Sequence, residues 1–151
     1  LGDVVLREQD LIEGTRYDDA AVTATWGIDL HYPHRKDGFD GEPFLAYSDS
    51  RQIAPYPIPY RCLYSRNIDN LFMAGRDISV THIALGSVRV MRTGGMMGEV
   101  VGMAASICRL HNASPRDVYR LYLPELKRLM SAGTGKAGFS EADTGTSAEE
   151  K

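Results

Sequence analysis

The sequence predicts an α/β fold, and three stretches carry that prediction. Residues 71–74 form a four-residue apolar run, which is the length of a buried strand, and Gly75 ends it. Residues 26–32 alternate apolar and polar side chains with the period of two that is typical of a half-buried strand. Residues from about 91 to 110 are rich in glycine, alanine and methionine over a length that only a helix normally reaches.

The first third of the chain predicts short elements. The apolar, β-branched residues of 1–7 indicate a strand. Asp10 is a plausible N-cap for a short helix that Gly14 ends, and Asp18 or Asp19 is expected to cap a second short helix over 20–22.

In the rest of the chain, the positions of proline and glycine predict several further elements. Residues 44–47 suggest a short strand, and three prolines within 54–63 predict a stiff, extended segment. Glycines recur at every fourth position from Gly94, so we expect that face of the long helix to pack closely on a sheet. Ser114 and Pro115 start another helix, which Pro124 should kink or split.

Composition excludes several classes of function. A length of 151 residues suffices for a domain with a real core, and the net charge of −3 gives no reason to expect nucleic acid or membrane as a partner. Cys62 and Cys108 lack C-x-x-C spacing, so neither a metal site nor a disulfide framework is expected. No signal peptide is evident and a cytoplasmic location is slightly favoured, although the chain begins at Leu1 rather than Met.

The order of strand, turn, acid, loop and helix over 70–112 predicts a ligand site. Arg76 and Asp77 follow the 71–74 run directly, and a loop over 78–90 precedes the helix. Ligands of open α/β folds bind outside the carboxyl ends of strands. The Asp77 carboxylate can accept hydrogen bonds from ligand hydroxyls there, and the amides at a helix start can meet negative charge.

These residues carry a family resemblance. The segments NLFMAGRD, ALGSVRVM and GMMGEVVGMAAS resemble the carboxyl-terminal flavin-binding segment of bacterial FAD-dependent oxidoreductases with a glutathione-reductase-like fold. The resemblance implies FAD as cofactor and the carboxyl-terminal part of a two-domain FAD-binding fold, with a portion of a β-rich substrate domain. The expected division is 1–60 for the substrate-domain part, 61–130 for the FAD-domain part and 131–151 for a disordered tail.

The resemblance also implies roles for individual residues. Asp77 is expected to hydrogen-bond a ribityl hydroxyl of FAD. The amides near the start of the long helix are expected to face the N1/O2 edge of the flavin ring, where they would favour the reduced form. The predicted cofactor-binding residues are Gly75, Arg76, Asp77, Met91, Arg92, Thr93 and Gly94.

Five further residues are candidates for the substrate side. TWGIDLHYP resembles the family's substrate-domain strand, and Asp29 and His31 share its polar face, facing either a substrate or solvent. Tyr60 and Arg61 lie in YPIPYRCLYSRNIDNLFMAGR, which resembles the run between the two domains. Arg61 could clamp a substrate carboxylate or pair with a structural one. His82 could move a proton at the substrate or serve as a structural hydrogen-bonding group.

The phosphate-binding half of an FAD site is not found where the resemblance requires it. No G-x-G-x-x-G turn follows a strand near the amino terminus. The expected partners are therefore a small-molecule substrate and a missing N-terminal half of the FAD domain, without which the fold is incomplete. The predicted function is a fragment of an FAD-dependent oxidoreductase that transfers hydride to or from a small organic substrate. The alternatives are a non-catalytic fragment or subunit that needs a partner chain, and a small α/β binding domain without flavin.

Overall fold

A computed structural model describes residues 1–34 and 45–134, and it confirms the mixed α/β class. Two 3₁₀ turns, Tyr60–Cys62 and Gly75–Asp77, accompany the helices and strands. In chain order the elements are α1 (Glu8–Glu13), β1 (Ala20–Ala24), β2 (Ile28–His34), β3 (Leu45–Arg51), β4 (Tyr56–Pro59), α2 (His82–Val88), α3 (Met91–His111), α4 (Pro115–Leu121) and α5 (Leu123–Ala132).

The described strands form two antiparallel pairs. β1 pairs with β4, where Val22 lies opposite Ile58, and β2 pairs with β3, where His31 lies opposite Ser48. The strand expected within 26–32 is present from Ile28, and the one expected over 44–47 is present in its described part from Leu45. The extended segment predicted over 54–63 contains β4 and gives way to a 3₁₀ turn at Tyr60. The helix expected over 20–22 is wrong, because this stretch forms β1 and buries Val22.

Two other predicted strands shrink to single bridges. Leu6 pairs in parallel with Val80, and Phe72 pairs with Tyr64, so neither 1–7 nor 71–74 is a strand. The Leu6 amide and carbonyl bond to Ser79 and Thr81, at 3.0 and 2.9 Å. Both stretches pack against the core, but each pairs with a neighbouring segment over too short a length to form a ladder.

Local capping sets the limits of the short amino-terminal helix. α1 begins at Glu8, so Asp10 is its third residue rather than its N-cap. The Asp10 carboxylate accepts a hydrogen bond of 2.8 Å from the Arg7 amide, which satisfies a donor that the helix leaves unpaired. Gly14 ends the helix with φ of +62°, as its residue type predicted.

The carboxyl-terminal helices start and break where the sequence predicts. α3 starts at Met91, and the Ser114 hydroxyl accepts a hydrogen bond of 3.3 Å from the Asp117 amide at the start of α4. Pro124 lies in the first turn of α5, so the predicted split of this helix is confirmed. Residues 131–132 complete α5, and the part of the expected tail from 135 to 151 lies outside the described residues.

One hydrophobic core joins the residues before and after position 60. Tyr56, Tyr60 and Tyr64 are its largest fully buried side chains, and each hydroxyl has a partner. Among the helices of the described ranges, none has the length and apolar character needed to cross a bilayer. The core gathers side chains from β1, β4 and the α3–α5 helices, including Val22, Ile58, Met97, Ala104, Val118 and Leu126.

Candidate functional site

A glycine turn places the Gly75–Asp77 segment against the first turn of α3. Gly75 has φ of +68°, a left-handed conformation that side-chain-bearing residues rarely adopt. A Cβ atom added to Gly94 would stand 3.8 Å from the Gly75 Cα atom, which is ordinary van der Waals contact. The turn and the first turn of α3 therefore lie backbone against backbone, and we call this contact the glycine cradle.

The start of α3 leaves amide donors unpaired by the helix itself. Val90 provides no side-chain cap, and the first helical hydrogen bond runs from the Gly94 amide to the Val90 carbonyl at 2.9 Å. The amides of Met91, Arg92 and Thr93 precede that bond. With 21 residues behind it, this helix end carries partial positive charge.

The Asp77 side chain is exposed beside this helix start. It makes no ion pair or side-chain hydrogen bond with any residue that the structure describes. An unpaired carboxylate, an uncapped helix start and a glycine cradle form a donor and acceptor set that suits a polyhydroxylated ligand with an electron-accepting ring. This set fits the ribityl chain and ring edge of a flavin.

A cleft of about 330 Å³ opens between β2 and α2. It brings together three predicted substrate-side residues, Asp29, His31 and His82, with the predicted cofactor residue Arg76. Sequence reasoning assigned no role to Arg89, another lining residue, although the quoted ALGSVRVM segment contains it. The remaining lining residues are Leu30, Leu85 and Gly86.

Asp29 forms the charged floor of this cleft. Its carboxylate lies 2.8 Å from His31 Nε2, 3.1 Å from an Arg89 guanidinium nitrogen and 3.2 Å from Ser48 Oγ. The hydrogen bond from His31, aided by Ser48 and Arg89, holds the pKa of Asp29 below its usual range. Asp29 is therefore ionised near neutral pH, and a neutral His31 carries its proton on Nε2.

Helix α2 packs closely against β2 and forms one wall of the cleft. A Cβ atom on Gly86 would lie 2.8 Å from the Asp29 carbonyl oxygen, so only glycine permits this approach. Ser87 Oγ donates to the Trp26 carbonyl at 2.6 Å, which leaves the Tyr56 hydroxyl to donate to Ser87 at 2.6 Å. The loop predicted over 78–90 is thus wrong, because these contacts stabilise a seven-residue helix within it.

The family model for FAD dependent oxidoreductase matches residues 1–130. The chain belongs to the FAD dependent oxidoreductase family. Membership implies a flavin oxidoreductase role with FAD as the cofactor. Neither a search of curated proteins nor one of solved structures found a match.

Two substrate-side candidates lie outside the cleft of this FAD dependent oxidoreductase chain. Arg61 donates to Asp19 through its backbone amide and two guanidinium nitrogens, each at 2.9 Å, and its guanidinium lies 4.6 Å from the Tyr119 ring centre. This geometry matches the structural alternative for Arg61. Tyr60 is fully buried and donates to the Pro115 carbonyl at 2.8 Å, so it is a core residue instead of a substrate contact.

The glycine face of α3 differs from the prediction. A Cβ atom on Gly95, Gly98 or Gly102 would meet nothing within 4 Å among the described residues. The expected packing of this face on a sheet is not found among the described residues, where Gly94 is the one α3 glycine at which an added Cβ atom would lie within 4 Å of another backbone segment. Across 1–34 and 45–134, no three His, Cys, Asp or Glu side chains converge as a metal site would require.

Proposed function

We propose that this chain supplies the ribityl and ring-edge contacts of an FAD site, and that a small organic substrate binds in the adjacent β2–α2 cleft. The finer placement in a glutathione-reductase-like fold is part of the proposal. One observation carries it. Arg76 lines the cleft, while Gly75 and Asp77 in the same three-residue turn lie beside the start of α3. A cofactor held at that helix start would border the substrate cleft.

Each part of the cofactor cradle has a proposed task. The exposed Asp77 carboxylate accepts a hydrogen bond from a ribityl hydroxyl. The amides of Met91, Arg92 and Thr93 would hold the ring edge of bound FAD, because the partial positive charge at the start of α3 attracts negative charge there. Gly75 and Gly94 keep side chains out of the space between. Bound FAD supplies hydride acceptance or donation, which no amino-acid side chain provides.

Some side chains of the cleft are held by hydrogen bonds to Asp29, whereas the His82 side chain is not. His31 and Arg89 are held by the Asp29 carboxylate and thereby shape the floor. His82 is exposed, and its ring has no hydrogen-bond partner within the described part of the chain. We assign His82 the task of moving a proton at the substrate as the hydride leaves or arrives.

The other half of the cofactor needs a second segment. The glycine-rich turn that holds the pyrophosphate in such folds does not follow a strand near the amino terminus of this sequence. We propose that a dinucleotide-binding segment outside these 151 residues completes the site as its partner.

The role of Asp77 is tested by flavin content. The full-length protein should purify yellow, and Asp77→Ala should lower its ratio of flavin to protein absorbance, because the ribityl chain loses a charged acceptor. Asp69→Ala removes another exposed carboxylate of the same region and should leave the ratio unchanged. Equal flavin content in wild type and Asp77→Ala would contradict the assignment.

A further inference from the structure

We propose that the substrate of the β2–α2 cleft carries a carboxylate group, and that the Arg76 guanidinium binds it. The inference rests on the proposed function, since it names the substrate class of that same cleft. It extends the role of Arg76, whose backbone lies in the cofactor-facing turn while its side chain lines the cleft.

The charge balance of the cleft favours an anionic ligand. Among the residues that the structure describes, its lining contains one carboxylate, Asp29, and two guanidinium groups, Arg76 and Arg89. Arg89 is paired with Asp29 at 3.1 Å, so these two charges offset each other. Arg76 therefore leaves the lining with a net positive charge, and the His31 and His82 rings offer further polar groups to a ligand.

Arg76 is the cation that remains available to bind a ligand. Its side chain is exposed, and no hydrogen bond or ion pair joins it to another residue between 1 and 34 or between 45 and 134. Arg89, by contrast, divides one nitrogen between the carbonyl and the carboxylate of Asp29, both at 3.1 Å. A guanidinium presents paired N–H donors that match the two oxygens of a carboxylate.

The volume and the charge of the cleft favour a small carboxylate over a phosphate as its ligand. A volume of about 330 Å³ is at the lower end for ligand pockets, which suits a small molecule. A phosphate group would bring nearly two negative charges, and the described lining has a single unpaired guanidinium to balance them. A carboxylate brings one charge, which this guanidinium balances.

The test compares a charged probe with its neutral isostere. The full-length, FAD-containing protein is titrated at low ionic strength with butyrate, butyramide and inorganic phosphate, using calorimetry and ligand-observed NMR. Butyrate should bind at least about tenfold more tightly than butyramide, because a charged hydrogen-bonded pair is lost with the amide. Phosphate should bind more weakly than butyrate.

A matched pair of variants assigns the binding to the cleft. Arg76→Gln should weaken butyrate binding by at least about tenfold and leave butyramide binding unchanged. Arg128→Gln removes the same charge from an exposed position on α5 and should leave both unchanged. Equal butyrate and butyramide affinities, tighter phosphate binding, absence of saturable butyrate binding, or an unaltered butyrate affinity in Arg76→Gln would each overturn the inference.

Flavin content, measured on the same samples, separates this inference from the proposed function. If the full-length protein contains no flavin but still binds butyrate through Arg76, the flavin proposal is contradicted and the carboxylate site is supported. A yellow protein whose Arg76→Gln variant loses flavin but keeps its butyrate affinity would overturn the carboxylate assignment, since Arg76 would then serve only the cofactor.

Discussion

Asp19 and Arg61 show how one residue's role depends on a distant partner. The Asp19 side chain is completely buried, and it takes three hydrogen bonds from Arg61. Arg61 in turn is 23% exposed and also reaches Asp18, whose side chain is 62% exposed. The two partners of the buried pair are 42 residues apart, so the sequence could not decide between a substrate clamp and a structural ion pair.

Asp19→Ala should lower the free energy of unfolding by about 3 kcal/mol, because it leaves a largely buried guanidinium with one exposed partner. Asp18→Ala is the matched control on the same arginine. It should cost less than about 1 kcal/mol, since exposed pairs contribute little. Urea unfolding followed by circular dichroism measures both. Equal losses in the two variants would show that burial of Asp19 is not what matters.

At the scale of elements, α2 is the helix that creates the cleft. Its sequence offers seven helical residues without a side-chain N-cap, which is too short to be stable alone. Its stability comes from Gly86 on the β2 backbone and from the Ser87 hydroxyl on Trp26. Tertiary contact therefore overrides the weak local signal in 78–90.

Gly86→Ala should push α2 away from β2, because the new Cβ atom would stand 2.8 Å from a backbone oxygen. Overpacking of this kind costs about 1–3 kcal/mol, and the cleft should lose its butyrate affinity as its wall moves. Gly98→Ala is the matched control on α3, where nothing described lies within 4 Å. It should raise helix stability by up to about 1 kcal/mol. The comparison uses thermal unfolding and calorimetry, and a neutral Gly86→Ala would refute the proposed seating.

At the scale of the whole molecule, residues on both sides of position 60 share one core. Ile58 of β4 and Val118 of α4 belong to the same buried cluster, and Tyr60 donates from the 3₁₀ turn between the halves to Pro115. Arg116 also bonds Asp3 at 2.7 Å, across 113 residues of sequence. The described part of the chain is therefore expected to unfold as one unit.

Two probes can test that cooperativity. Trp26 is the one tryptophan of the sequence and precedes position 60, so its fluorescence reports on the first part of the chain. Far-ultraviolet circular dichroism is dominated by α3, α4 and α5 in the second part. Both signals should change at the same urea concentration, because the shared core couples them. Two separate midpoints would mean that the parts unfold independently.

The sequence by itself determined the features that short-range chemistry controls. Ser114 and Pro115 start α4, Pro124 divides the helices, Gly14 ends α1, and the alternation around Asp29 and His31 places both on one face of β2. Each depends on backbone preferences or periodicity within a few residues. The motifs around Asp77 likewise sufficed to identify the FAD dependent oxidoreductase family, which the family match confirms.

Only the tertiary structure decided which residues meet. Residues 71–74 form a single bridge, Tyr60 is buried and Arg61 pairs with Asp19. Gly98 and Gly102 of α3 contact no other described segment, and Arg76, Arg89 and His82 line one cleft. These outcomes depend on contacts between residues far apart in the chain. Local preferences carry no information about such contacts, because packing energies between distant segments exceed the small differences that propensity creates.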